Sequence, residues 1–158
     1  MNEHANEPSP NEPITAVLLI AHGSRHAPAN DDLFRMVAQI SERGDYAIVE
    51  PAFLELAEPT IDQGGARCVE RGAKRVLLVP YFLSAGVHLL RDLAAARDDL
   101  RERYPQIEFR LGKALGPHPL LEQLVLEKIR SVAANEHDQA DDDARSFAER
   151  YAPLADDH

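Results

Sequence analysis

Ala16-Val17-Leu18-Leu19-Ile20-Ala21, ending at His22-Gly23-Ser24, is the stretch on which the fold turns. A short unbroken apolar run predicts a strand buried on both faces, closed by a turn-forming group. Downstream, Leu33, Val37 and Ile40 recur at helical spacing over residues 29–43, with Asn30 and Asp31 placed to cap the start and Gly44 to stop the end. Tyr46 to Leu54 reads as a second strand whose ladder Pro51 limits. A helix follows Glu58-Pro59-Thr60, with Pro59 at its first position and the Gly64-Gly65 pair weakening it before Gly72. Arg75-Val76-Leu77-Leu78-Val79-Pro80 is the clearest further buried strand. Beyond Ser84-Ala85-Gly86-Val87-His88, an amphipathic helix runs from about Leu89 to Arg103, then a strand over Ile107 to Leu111. Gly116-Pro117-His118-Pro119 is a turn, and Leu120, Leu121, Leu124, Val125 and Ile129 mark a last helix. Strand and helix thus alternate about four times. That order predicts an α/β fold: a parallel sheet of about four strands, helices on both faces, right-handed crossovers.

Composition bounds what such a domain does. The 158 residues suit one domain with one core. Nothing approaches the roughly 20 apolar residues of a membrane span, and Met1 to Pro13 lacks the basic start and apolar stretch of a secretory signal, so a soluble, cytoplasmic protein is expected. The single cysteine, Cys68, rules out an internal disulfide, a Cys-x-x-Cys pair and multi-cysteine metal centres, and its helical context suggests a small buried side chain. The net charge of −10 sits at the ends. Residues 1–13 carry three acidic and no basic side chains, 136–158 eight acidic and two basic, which leaves the body, 14–135, nearly neutral. The chain therefore divides into a flexible acidic N-terminal segment (1–13), an α/β domain (14–135) and an acidic, mobile tail (136–158) that favours solubility. No basic face is concentrated enough for nucleic acid.

Parallel sheets of this kind bind ligands outside the carboxyl ends of their strands. His22-Gly23-Ser24 follows the first strand, Glu55 the second, Ser84 to His88 the third, and Gly116-Pro117-His118 the fourth. The polar residues share one rim. Strand packing asks for no imidazole at position 22, although a histidine there also serves simply to bond a loop carbonyl. His88 opens a helix, where a cationic ring gains nothing from the dipole, and a surface cap is its plainer reading. Glu55 by itself reads equally as a solvated loop carboxylate. Two imidazoles and a carboxylate converging from adjacent strand ends suit a borderline divalent ion or, alternatively, acid–base chemistry near neutral pH. The Gly23-Ser24 and Ser84-Ala85-Gly86 turns can aim backbone N–H groups at an anion, with Arg25 and Arg91 as charged neighbours. Phosphate and polycarboxylate fit such a nest equally well. Arg91 pairs as readily with Asp92 or Asp98 on a solvated helix face.

Taken together these residues are familiar. Ala21-His22-Gly23-Ser24-Arg25, then Phe53-Leu54-Glu55 with Pro59, Val79-Pro80-Tyr81-Phe82-Leu83-Ser84-Ala85-Gly86-Val87-His88 with Asp92, and Gly116-Pro117-His118-Pro119 resemble the class II sirohydrochlorin chelatases of the short CbiX/SirB type. The resemblance spans roughly residues 15 to 130. It implies ATP-independent insertion of a divalent metal, cobalt foremost with iron or nickel as alternatives, into sirohydrochlorin or a related tetrapyrrole, on routes to cobalamin, siroheme or a nickel tetrapyrrole. The metal would be a substrate, with no tightly bound cofactor. The family's metal-associated histidines fall on His22 and His88 and its acidic residue on Glu55, each a candidate metal ligand or catalytic group. Ser24, Arg25, Ser84, Ala85 and Gly86 become candidate anchors for the macrocycle's carboxylates. Long members fold two such units into one chain, so a homodimer is implied for a short one. Unlike some relatives, this chain has no histidine-rich terminal stretch, and His137 and His158 stand isolated in the acidic tail.

Two other readings compete. A non-catalytic metal or tetrapyrrole carrier would use the same binding residues and differ only in turnover. A phosphate-handling enzyme is suggested by a histidine and glycine after the first strand. That class wants an Arg-His-Gly order and clustered arginines, whereas this chain has His22-Gly23-Ser24-Arg25-His26 and no Gly-x-x-x-x-Gly-Lys loop. Of the other histidines, His26 reads as a surface residue at a helix entry and His118 as a turn residue near the cleft. Ligand type alone does not choose among the metals, because intrinsic affinity follows the Irving–Williams order.

Overall fold

Four parallel strands form one sheet: β1 (Thr15–Ala21), β2 (Ile48–Phe53), β3 (Arg75–Pro80) and β4 (Glu108–Leu111), in the spatial order β2-β1-β3-β4. They appear in a computed structural model that describes residues 12–134. Helices α1 (Asp31–Arg43), α2 (Ile61–Glu70) and α3 (Val87–Arg103) connect successive strands, and α4 (Pro119–Ala133) follows β4. β1 is central, so both of its edges are hydrogen-bonded and both of its faces are covered. Ala16, Leu18 and Ile20 pack with Ile61 and Cys68 of α2 and with Leu93 and Leu100 of α3, while Leu19 packs with Leu33 of α1 and with Phe53. The unbroken apolar run is the sequence trace of that position. The expected sheet, with helices on both faces, is present.

β3 differs from β1 in one respect. Val76, Leu78 and Pro80 are buried, whereas Arg75, Leu77 and Val79 on the opposite face keep partial exposure. α4 buries none of its residues, although Leu121, Val125 and Ile129 lie on one helical face. Leu120 is 66% exposed, and Val125 and Ile129 are each 57% exposed.

Several local readings change. Pro59 lies one residue ahead of the helix cap instead of inside α2, and its carbonyl accepts a hydrogen bond from Phe53 N at 2.8 Å. Thr60 is the cap: its hydroxyl accepts from Gln63 N at 3.2 Å, and the Gln63 side chain accepts from Thr60 N at 2.9 Å, a reciprocal box. α3 starts at Val87, two residues earlier than its apolar pattern indicates, which puts His88 inside the first turn. Pro51 is accommodated within β2 because β2 is an edge strand. Gly44 closes α1 in the left-handed conformation, φ 79°, as anticipated.

Gly64 and Gly65 serve packing. A Cβ on Gly64 would stand 2.6 Å from Leu18 Cδ1 and 2.9 Å from the Pro51 carbonyl oxygen, and one on Gly65 would stand 2.7 Å from Leu100 Cδ2. The bare helix face lets α2 approach the sheet and α3 together. Cys68, on the same helix, is fully buried, and that burial above all, with Glu50 adding, pushes its thiol up to about 12. It is an inert core side chain.

No helix among the described residues is long and apolar enough to cross a membrane. Apart from Glu12 and Pro13, the two acidic end segments lie outside the described residues, as do His137 and His158.

Gly64→Ala is expected to lower the free energy of unfolding by roughly 1–3 kcal/mol through overpacking against Leu18, even though alanine favours helix. Denaturant titration measures this; an unchanged or raised midpoint would mean that the α2–sheet contact has slack.

Candidate functional site

The ladder between β1 and β2 does not stop where the strands do. Leu54 N donates to Ala21 O at 2.9 Å and Glu55 N donates to His22 O at 3.1 Å, so pairing continues through the residues that carry the polar groups. This backbone zipper brings His22 Nε2 to 3.6 Å from Glu55 Oε1. That is too long for a hydrogen bond and short enough for an ion pair with a protonated ring. Both side chains are more than half exposed, at 56% and 55%, so the pair faces solvent. Phe82, just beyond β3, meets the His22 ring edge to face with centroids 6.5 Å apart.

Gly23 permits the approach of the two loops. Its φ of +97° lies in the region that favours glycine, and a Cβ there would stand 1.9 Å from the Glu55 carbonyl oxygen. On the other side the loop is tied to Asn30, which is buried at 8% exposure. Its Oδ1 accepts from Ser24 N at 3.0 Å, and its Nδ2 donates to Ser24 O at 3.0 Å. Asn30 was expected to cap α1, but its side chain makes no cap bond and turns instead to the loop. Ser24 Oγ accepts from His26 N at 3.1 Å, which makes His26 part of the same turn, half-buried at the entry to a 3₁₀ turn over Ala27–Asn30. Behind the loop lies a cavity of about 300 Å³ lined by His22, Ser24, Asn30, Leu33, Phe53 and Tyr81.

These bonds bear on the predicted anion nest. The Ser24 N–H is taken by Asn30 and is not open to an anion, while the Ser24 hydroxyl and the exposed Arg25 are side-chain donors at that turn. The second turn is more open. Gly86 occupies the cap position of α3 in extended conformation with no side-chain cap and no acidic residue in the first turn; Ser84 is exposed and Ala85 half-buried. A helix start of that kind favours negative charge.

His88 is exposed on that first turn. The geometry brings His22 and Glu55 together and leaves His88 outside the pair: among the described residues no group of three His, Cys, Asp or Glu side chains is assembled to hold an ion. His118 caps α4, its Nδ1 accepting from Leu120 N at 3.1 Å. Asp98 pairs with Arg97 at 2.8 Å and Arg101 at 3.6 Å, not with Arg91. The sequence pointed to the histidines and the glutamate but not to the groups that place them. Phe82 stands inside a recognisable stretch, whereas no periodicity marks Asn30 as anything but a helix cap.

Comparison with known proteins bears on the whole body of the chain. The CbiX family model matches residues 16–132. A sirohydrochlorin ferrochelatase, chloroplastic, of Arabidopsis thaliana is 36% identical over 126 residues, 80% of this chain and 56% of its own length. A sirohydrochlorin cobaltochelatase of Priestia megaterium is 36% identical over 114 residues, 72% of this chain and 37% of its own. The chain thus spans about half, or less, of the curated relatives it matches. Among solved structures, the sirohydrochlorin chelatase SirB from Bacillus subtilis subspecies spizizenii in complex with cobalt superposes with a TM-score of 0.70 at 29% identity, over 75% of this chain and 51% of that one.

The loop contact gives a direct test. Gly23→Ala is expected to cost roughly 1–3 kcal/mol from the clash and the unfavourable φ, and to free the Glu55 amide. Faster hydrogen exchange at Glu55, with β1 core amides unchanged, is the expected signature; exchange as slow as in the parent chain would show that the loops tolerate a side chain there.

Proposed function

The chain belongs to the CbiX family, and on that premise we propose that it inserts a divalent metal ion into sirohydrochlorin or a related tetrapyrrole without ATP. The observation that carries this reading is the exposed His22–Glu55 pair at the ends of two paired strands. The metal is a substrate here. Cobalt is the foremost candidate, with iron or nickel as alternatives; the names of the relatives include both cobalt and iron. The folded unit is taken as residues 14–135, flanked by the acidic segments 1–13 and 136–158. The same reading puts the chain in the cytoplasm.

Metalation removes two pyrrole N–H protons and strips a hydrated cation of its water. His22 and Glu55 present a nitrogen and an oxygen donor 3.6 Å apart toward solvent, and the exposed His88 on the first turn of α3 is the proposed second imidazole. Nitrogen and oxygen donors of this kind suit the divalent ions concerned. A ring that holds the ion cannot take a proton at the same moment, so ligand and base are divided among the three residues or used in sequence. The macrocycle's carboxylates suit the N–H groups at the start of α3, reached through Ser84, Ala85 and Gly86, together with the Ser24 hydroxyl and Arg25.

A homodimer belongs to the same reading. Two apolar surfaces support it: the unburied face of α4 and the half-covered side of β3 at Leu77 and Val79. A second copy would cover both.

An anaerobic absorbance assay of sirohydrochlorin with catalytic protein and Co²⁺, Ni²⁺ or Fe²⁺ tests the activity. Repeated turnover is expected, with His22→Ala and His88→Ala each slowing it by about 10²-fold or more. Near-parental rates in both variants would overturn the assignment, and tight pigment binding without acceleration by any metal would make the protein a carrier. Sedimentation at micromolar concentration is expected to give a dimer and the Val125→Asp, Ile129→Asp double variant a monomer; a monomeric parent chain would refute the interface.

A further inference from the structure

Asn30 is the one polar side chain in the interior among the described residues, and the bonds it makes are not those its position invites. It stands at the N-cap of α1, where an asparagine normally accepts a bond from the helix's own first turn. Instead both amide atoms are committed to Ser24, the acceptor to Ser24 N and the donor to Ser24 O, each at 3.0 Å. A primary amide has a donor and an acceptor at the spacing of one residue's N–H and C=O, so it grips both peptide planes flanking Ser24. A carboxylate would place an oxygen against the Ser24 carbonyl, and an alanine would leave both of these partly buried backbone groups without the amide.

The residues between this clamp and β1 are His22 and Gly23. His22 is tied on its other side by the bond from Glu55 N to its carbonyl, and Gly23 is pressed against the Glu55 carbonyl. The His22 backbone is therefore held from two directions, by the extended β1–β2 ladder and by Asn30. Its imidazole remains exposed and keeps 3.6 Å from Glu55.

We propose that Asn30 is a positioning residue for the His22–Glu55 pair, fixing the loop so that the imidazole and carboxylate meet a metal ion at a set separation. This deepens the chelatase reading and rests on it. Groups that orient metal-binding side chains typically change metal affinity by about 10–100-fold when removed, and a displacement of about 1 Å at a reacting centre costs about 10²-fold in rate.

The test uses the full chain with Asn30→Ala and Asn30→Asp, the latter of nearly equal volume in case the cavity left by alanine prevents folding. Four quantities are read: exchange at the Ser24 amide, Co²⁺ affinity in the absence of tetrapyrrole, and kcat and KM with sirohydrochlorin. Asn30→Ala is expected to expose the Ser24 amide, to weaken Co²⁺ binding about 10–100-fold and to lower kcat with KM for sirohydrochlorin within about twofold. Asn30→Asp, which keeps the acceptor and loses the donor, is expected to fall between Asn30→Ala and the parent. Folded variants that bind Co²⁺ and turn over as the parent does would overturn the proposal. So would a loss of activity that follows only the unfolded fraction while Co²⁺ affinity stays unchanged. If the parent chain shows no turnover but Co²⁺ binding still weakens in both variants, the positioning role stands and the chelatase reading falls.

Discussion

β1 is hydrogen-bonded along both edges and packed on both faces, and the rest of the molecule is arranged around that fact. A strand enclosed on four sides cannot carry a charged or hydrated side chain along its length without a large desolvation cost. Polar chemistry is thereby excluded from the centre of the sheet and displaced to the first residue past its end. His22 occupies that residue. Because the neighbouring strands run parallel, their ends fall on the same rim, and Glu55 and the start of α3 arrive there for the same geometrical reason.

The His22–Glu55 contact adds little stability. Both groups are more than half in water, where an ion pair gains little over its solvated partners. What the fold invests in is their placement: a ladder extended beyond the strands, a glycine where a Cβ would collide with a carbonyl, and a buried amide spent on a single turn. An exposed pair held by well-bonded backbone is the arrangement expected where side chains must exchange water for a ligand without moving. It also explains why removing such supports is expected to act on geometry before it acts on the fold.

Much of this was legible in the sequence because burial on two faces leaves an unbroken apolar trace. β1 and β3 were found within a residue, their polar terminators followed, and the parallel order came from the alternation of strand and helix. What stayed hidden depends on contacts between residues far apart in the chain. Gly64 and Gly65 look like helix weaknesses until Leu18 and Leu100 are seen against them. Asn30 looks like a cap until its amide is seen to face Ser24. Pro59 looks like a first helical residue until Thr60 and Gln63 close their box after it. The apolar stripe of α4 reads as a core-facing helix, and no local pattern could reveal that the chain's own core leaves it uncovered. His88 was expected from the shared rim to converge with the other two residues, yet among the described residues no group of three is assembled, and the helix that carries it begins earlier than its hydrophobic spacing suggested.

The strand order has a consequence for how the chain is made. β1 is synthesised before β3, one of its two neighbours, with which it pairs from Thr15 opposite Arg75 to Ile20 opposite Pro80. At about 5–20 residues per second, the 60-residue interval between those partners passes in roughly 3–12 s. Throughout that time Ala16 to Ala21 is an uncharged, strand-forming segment with at least one edge unsatisfied, the kind of segment that seeds aggregation. During synthesis, the stretch that organises the finished domain is also its greatest hazard, and holdase chaperones would be expected to engage the nascent chain there first.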